Sequence, residues 1–389
     1  MLPTQSQSLE QDNMKVPVNG KVLAWARNLR GLTIEDAARR LGIPVPELVA
    51  QEQTETTELS LGSLRVISVK YEIGLSSLLM PEPLPPDTQP RDNRSRAHRL
   101  PLTMETLLAI EEVSNALDTF VELAEDSSAL VSPLRIGKAR LSDSPSALAA
   151  RERTRIGVSI EEQKSWSSQS NARIRWRERI EALGVFTYMI PMPPNELSGF
   201  SLCRDGLAAI CVNDREPTEG AKIFTLFHEY CHVLLRQSEI SDEDNSVGIE
   251  RFCNRFAANF LIPKDALLAA THGPSSPRDF TDDEVRKLSV MFRVSNRAMA
   301  YRLQETGIAP ANFYDLRTAP WDIPKVRIPR KRQGEFRINP IPGVIKKVGK
   351  LHATTALRAS KTRLFSAFDA SHLLGLGPDS FGKLESALK

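Results

Sequence analysis

No stretch of the 389 residues approaches the roughly 18 consecutive apolar positions of a membrane-spanning helix, so no membrane partner is expected. The first residues, MLPTQSQSLEQDNMK, lack the apolar core of a secretory signal and read as a polar leader over 1–18. Cysteine is scarce. Cys203, Cys211, Cys231 and Cys253 fall within a short span, and no two stand in CxxC spacing. Without an export signal these thiols are expected to stay reduced, in a cytoplasmic protein. Cys231 and Cys253 lie on apolar helical segments, where a free cysteine acts as a small buried hydrophobe. No internal repeat is present. The stretch Pro44–Glu58 contains neither lysine nor arginine, which bears on nucleic-acid binding below.

The composition is otherwise ordinary for globular proteins, at 41% hydrophobic and 25% charged, and the length allows two or three domains. The net charge of +3 is unevenly spread. From Asp322 to Lys389 there are 14 Lys and Arg against 5 Asp and Glu, a net of +9; from residue 1 to 75 the count is 8 against 9, a net of −1. The fold class expected is multidomain. Residues 19–80 read as an all-α helix-turn-helix unit. Val22, Leu23, Ala26 and Leu29 share a helix face, Gly31 stops that helix, and Thr33 to Asp36 resembles a capping box. Ala37, Ala38 and Leu41 continue the inner face to Gly42. Further helices are expected near Glu47–Gln51, Leu61–Tyr71 and Ser76–Leu79. Residues 81–102 (PEPLPP, then charged) read as a linker and 103–170 as a helical connector. An α+β pattern occupies 171–270: a helix ending at Gly184, strands at Val185–Ile190, Gly199–Leu202 and Leu207–Val212, then helices at Thr218–Arg236 and Gly248–Leu261. A helical pair follows over 271–319, with Ser295 as an N-cap, and 320–389 is a basic linker with a small helical tail.

The chemistry centres on His228-Glu229-Tyr230-Cys231-His232, an HExxH. Residues four apart share a helix face, so two imidazoles can bind one zinc ion with Glu229 beside them as general base. Zinc lowers the pKa of bound water, and a carboxylate then takes the proton. Such a motif also arises by chance as a charged surface face. Here the flanks Ile223, Phe224, Leu226, Phe227 and Val233, Leu234, Leu235 predict a buried helix, where two histidines and a glutamate are costly without a metal. A third protein ligand is required. Glu239, Asp242, Glu243, Asp244, Glu250 and His272 lie downstream. The run 239–244 reads as a solvated loop. Glu250 opens an apolar helix with Phe252, Phe256, Ala257 and Phe260, which favours it as ligand, although an acid in a first helical turn also suits the dipole. Asn254, one turn later on that face, can support a ligand, touch substrate or merely pack. Tyr230 is a candidate for stabilising an oxyanion.

Phe224 to His232, followed by Glu250 to Pro263 (E-x-x-C-N-x-F-A-A-x-F-L-I-P), resembles the ImmA/IrrE metallopeptidases. Gly199–Leu202, Ile210–Asn213 and Phe292–Leu303 extend the likeness over 171–305. Trp25-Ala26-Arg27, the Gly31–Gly42 block and Pro81-Glu82-Pro83 resemble the Xre-type helix-turn-helix domain that precedes the peptidase in some members. Asp369 to Gly375 resembles their tail. The resemblance implies a zincin-like fold, one catalytic zinc on His228, His232 and Glu250, and Glu229 as general base. It also implies a helix-turn-helix repressor as substrate, whose cleavage relieves repression after DNA damage or during mobile-element transfer. Cys231 occupies a slot where the family usually has a small residue.

The first domain has the shape of a DNA reader without its charge. Glu47, Glu52, Glu55 and Glu58 line the recognition stretch, and only Gln51 and Gln53 could read bases. Arg27, Arg39 and Arg40 could touch phosphates or be solvated faces, and a protein-docking role competes. The cluster Arg327, Arg330, Lys331 and Arg332, with Lys346, Lys347 and Lys350, could bind nucleic acid or an acidic partner, or be a solvated linker. The alternatives to a peptidase are a DNA-binding transcriptional regulator or a toxin–antitoxin component that uses the peptidase fold for sensing or docking.

Overall fold

A computed structural model of the chain describes residues 15–29, 32–71, 78–79, 82, 102–193, 196–236, 246–273, 276–318 and 340–389. Most of the leader and linker, Gly31, Ser76, the acidic run 239–244 and the cluster Arg327, Arg330, Lys331 and Arg332 lie outside them. The chain divides into two units, one of Met1–Gln89 with His98–Ile110 and one of Pro90–Ala97 with Glu111–Lys389. No helix among the described residues is long and apolar enough to cross a membrane.

In the first unit, strand β1 (Lys15–Val18) precedes helices α1 (Gly20–Leu29), α2 (Ile34–Leu41) and α3 (Val45–Gln53). Strand β2 (Thr57–Ser60) and helix α4 (Leu61–Tyr71) follow. The unit is therefore not all-α. β1 pairs antiparallel with β2, Val18 opposite Thr57, and residues 15–18 belong to this sheet rather than to a leader. Four residues are too few for the alternation of Val16 and Val18 to register in a sequence window, and tertiary pairing decides their state. Val18 and Leu59 join Leu23, Ala26, Ala37, Ala38, Leu48 and Leu64 in a small core. Thr33 caps α2 by accepting from the Asp36 amide, and Gly42, at φ 72°, ends it in the left-handed conformation.

The second unit holds helix α5 (Met104–Asp126) from Glu111 onward, followed by α6 (Pro145–Ile156), α7 (Ile160–Ser165) and α8 (Gln169–Glu181). Three strands follow: β3 (Val185–Ile190), β4 (Gly199–Arg204) and β5 (Leu207–Asn213). Then come α9 (Glu219–Arg236), α10 (Ser246–Leu261), α11 (Lys264–Thr271), α12 (Asp282–Phe292), α13 (Asn296–Glu305) and α14 (Phe313–Thr318). Helices α15 (Ile341–Lys361), α16 (Ala367–Leu374) and α17 (Phe381–Leu388) close the chain.

The sheet order is β3-β5-β4, with β3 parallel and β4 antiparallel to β5. All six residues of β3 are buried because both faces of the sheet are covered. On one face Val185 and Met189 join the core built on Trp176 of α8 and Phe227 of α9, whose rings meet edge to face at 4.9 Å. On the other, Phe186 stacks on Phe120 of α5 at 4.6 Å, and His352 of α15 meets Phe120 edge-on. Ile174 of α8 faces outward and is 46% exposed. Residues from the expected connector and tail both pack directly around the sheet. Arg153 of α6 donates to the Phe260 carbonyl and Gln163 of α7 to the carbonyls of Leu261 and Phe292. At the far side, the buried Glu181 accepts from the Lys350 and Leu351 amides where α15 kinks at Gly349. Arg177 pairs with Glu181 at 3.3 Å and donates to Thr187.

His352 reports on this packing. It is 1% exposed, its Nε2 donates to the Leu373 carbonyl at 3.1 Å, and its Nδ1 accepts from the Tyr188 hydroxyl at 3.0 Å. Burial holds its pKa down at about 3, from 6.5. Between those values the unfolded chain carries a proton here that the folded chain does not. The stability is present above pH 6.5 and is lost as pH falls towards 3, by up to about 1.4 kcal/mol per unit. His352→Gln is expected to flatten the acid limb of thermal melts taken from pH 7 to 5. An acid limb as steep as wild type would show that the loss arises elsewhere.

Candidate metal centre

Helix α9 runs through the core as its flanks required. Ile223, Phe227, Val233 and Leu234 are fully buried, and so is His228. Helix α10 lies against it, with Phe252, Cys253, Phe256 and Ala257 facing inward. Their contact brings together three of the residues singled out in the sequence. His228, His232 and Glu250 place one ligand atom each within 4.8 Å of one another. The two Nε2 atoms are 3.0 Å apart, and each lies 3.2 Å from an oxygen of Glu250. A tetrahedral zinc with bonds of about 2.0–2.1 Å sets its ligand atoms about 3.4 Å apart, so the cluster fits that ion to within a few tenths of an ångström.

The electrostatics favour positive charge at the centre. Burial opposes the ionised form of Glu250, yet the His228 and His232 rings beside it hold it well below the usual carboxylate range. Burial likewise opposes a charged His232, yet Cys253, Glu250 and Glu229 push it up to about 10. Of the other downstream candidates, His272 is exposed at the end of α11 and outside the cluster, and the run 239–244 is not among the described residues.

Asn254 supports the cluster. Its Oδ1 lies 2.9 Å from Nδ1 of His228. An amide oxygen only accepts, so Nδ1 carries the proton and the Nε2 lone pair is left for a metal. Asn254→Ala is expected to weaken zinc binding by about 10–100-fold with the fold intact, read by competition against a chromogenic chelator. Unchanged affinity would make Asn254 a packing amide.

Glu229 is 5% exposed and lies towards the first residue of β4. A Cβ on Gly199 would come within 2.7 Å of the Thr225 methyl and 3.3 Å of the Glu229 Cγ, so glycine lets the strand approach the face of α9 that carries Glu229. Tyr230 does not stabilise an oxyanion in this arrangement. It is fully buried, and its hydroxyl donates to Glu152 at 2.9 Å. Each residue step along a helix rotates the side chain by about 100°, which carries Tyr230 into the core when Glu229 faces the site. Sequence reasoning also missed Cys253. Its thiol hydrogen-bonds to the ring of His232 and to Cys231. Its spacing of three from Glu250, the same face of α10, was the available signal. Cys211, Cys231 and Cys253 are buried and free, and Cys203 is half-buried.

In the first unit, Arg27 pairs with Glu52 at 2.8 Å, also donates to the Leu32 carbonyl, and is thereby committed within the fold. Arg39 pairs with Asp36 on the surface, Gln51 bonds to Glu47, and Arg40 and Gln53 are exposed.

Residues 180–304 match the IrrE N-terminal-like domain of the M78 peptidases. The match spans the sheet, α9, α10 and the α12–α13 pair, and it contains every member of the cluster. The matched stretch is similar to a metallopeptidase domain. It covers about a third of the chain and does not extend to residues 19–80, for which no Xre-type likeness is found. No curated protein matches the chain significantly.

Proposed function

We propose that the chain is a zinc-dependent endopeptidase that cleaves a helix-turn-helix transcriptional repressor. The observation that carries the peptidase is the convergence of His228, His232 and Glu250 beside Glu229, inside a stretch similar to a metallopeptidase domain. His228, His232 and Glu250 would hold the zinc, with Asn254 fixing the tautomer of His228. When bound, zinc supplies Lewis acidity towards a peptide carbonyl and towards water. Glu229 takes a proton from that water and passes it to the departing amine. The substrate would approach along β4, an edge strand of the sheet, whose backbone can hydrogen-bond an extended peptide. The likeness of both sequence blocks to repressor-cleaving peptidases supports the repressor as substrate. The experiment incubates the zinc-loaded full chain with repressors encoded beside its gene. A single cleavage, blocked by chelation, is expected. Zinc bound with no repressor cut would reject the substrate, and no zinc bound would reject the peptidase.

A further inference from the structure

We propose that the peptidase selects acidic peptide segments, through a basic groove that starts at the metal centre. The inference rests on the peptidase reading and adds the chemistry of the substrate. A pocket of about 610 Å³ is walled by Arg251, Asn254, Arg255, Tyr301 and Glu305. Asn254 is the residue that holds His228, so this pocket adjoins the cluster. A second pocket, of about 1020 Å³, shares Arg255 and Glu305 with the first and runs on past Lys264 and Arg302. Together they form a groove over the outer sides of α10 and α13.

Its outer cations are available. Arg251 and Lys264 are exposed and make no ion pair among the described residues. Arg255 is 52% exposed, with Glu305 only at 3.9 Å. Glu305 instead pairs with the buried Arg302. Deeper in the second pocket, Arg153 is 8% exposed, and its Nη2 has no hydrogen-bond partner among the described residues. Against these cations stand Glu305 and Asp265 alone among the acidic wall residues. The spacing also selects. Arg251 and Arg255 stand one turn apart on α10, about 6 Å along its axis. Alternate residues of an extended peptide are about 6.6 Å apart on one side. Acids at every second position of a bound extended segment would meet both guanidinium groups. Nucleic acid suits the groove less well, because the two carboxylates interrupt the track that a phosphate backbone would follow.

The test uses the full chain as Glu229→Gln, so that binding is read without cleavage. Three fluorescein-labelled octapeptides carry glutamate, glutamine or lysine at alternate positions, and a labelled single-stranded oligonucleotide is the fourth probe. By fluorescence anisotropy at low salt, the glutamate peptide is expected to bind about tenfold tighter than the glutamine peptide, with the gap closing at 0.5 M NaCl. Arg251→Glu with Arg255→Glu should erase or reverse that preference. Equal binding of the three peptides, or a preference that survives the double substitution, overturns the inference. So does tighter binding of the oligonucleotide that is lost in the same variant, which assigns the groove to nucleic acid. Zinc content and repressor cleavage are measured separately, so failure of the peptidase reading shows there and not in anisotropy.

Discussion

Glu229→Gln is expected to keep one zinc per chain and to lose about 10²–10⁴-fold in peptide hydrolysis. The two halves of that result have different causes. Zinc retention follows because Glu229 is not among the residues whose ligand atoms converge. The rate loss follows because an amide cannot accept and release the proton that the carboxylate carries. The substitution is nearly isosteric, which matters at a position only 5% exposed and close to Gly199 of β4. A smaller residue there would leave space between α9 and β4 and mix a packing effect with the chemical one. Metal analysis beside initial rates on a cleavable peptide decides the outcome. A variant that holds zinc and hydrolyses at the wild-type rate would remove Glu229 from the mechanism.

The candidate metal centre was legible in the sequence because its determinants are local. His228 and His232 are one helical turn apart, and Glu250 and Asn254 repeat that spacing on the next helix. Two short patterns, each set in apolar flanks, therefore contained the site. What joined them was the packing of α9 on α10, which the apolar faces of both helices implied. The strands of the main sheet were legible for a similar reason, since β-branched and aromatic runs bounded by turn residues fixed them. Other features depend on residues far apart in the chain. The β1–β2 pair joins residues about forty positions apart, and nothing in Lys15–Val18 alone announces it. Tyr230, a candidate for stabilising an oxyanion, is turned by the helix into the core, where it donates to Glu152. The C-terminal segment read as a basic tail, yet His352 and the kink at Gly349 tie it to β3 and α8 through Tyr188 and Glu181. Charge composition reports solvated surface. It does not reveal the few buried contacts that dock a helix. In the first unit, the absence of lysine and arginine from Pro44–Glu58 was itself informative, and the structure adds that Arg27 is occupied by Glu52.

Glu250→Gln separates metal binding from proton transfer and is the complement of the first substitution. It retains shape and hydrogen-bonding capacity but removes the negative charge beside His228 and His232. Structural zinc sites bind with about 10–16 kcal/mol in total, so one charged ligand of three or four is worth on the order of 3 kcal/mol, or about 100-fold in affinity. Zinc should then dissociate on dialysis against a chelator that leaves the wild-type protein loaded. Hydrolysis should fall with it. The helix itself should survive, because Glu250 sits at a partly exposed position near the start of α10 while Phe256, Ala257, Phe260 and Leu261 do the packing. Added zinc provides a second reading. A ligand that binds only the folded state stabilises it by RT ln(1 + [L]/Kd), about 4 kcal/mol at a thousandfold excess over Kd. At the same zinc concentration a 100-fold weaker site keeps only a tenfold excess over its Kd, so the melting temperature of Glu250→Gln should rise about a third as much as that of the wild type, by about 1.4 kcal/mol of added stability. Wild-type affinity in this variant would mean that the third ligand comes from another residue, and the acidic run 239–244 would be the next place to substitute.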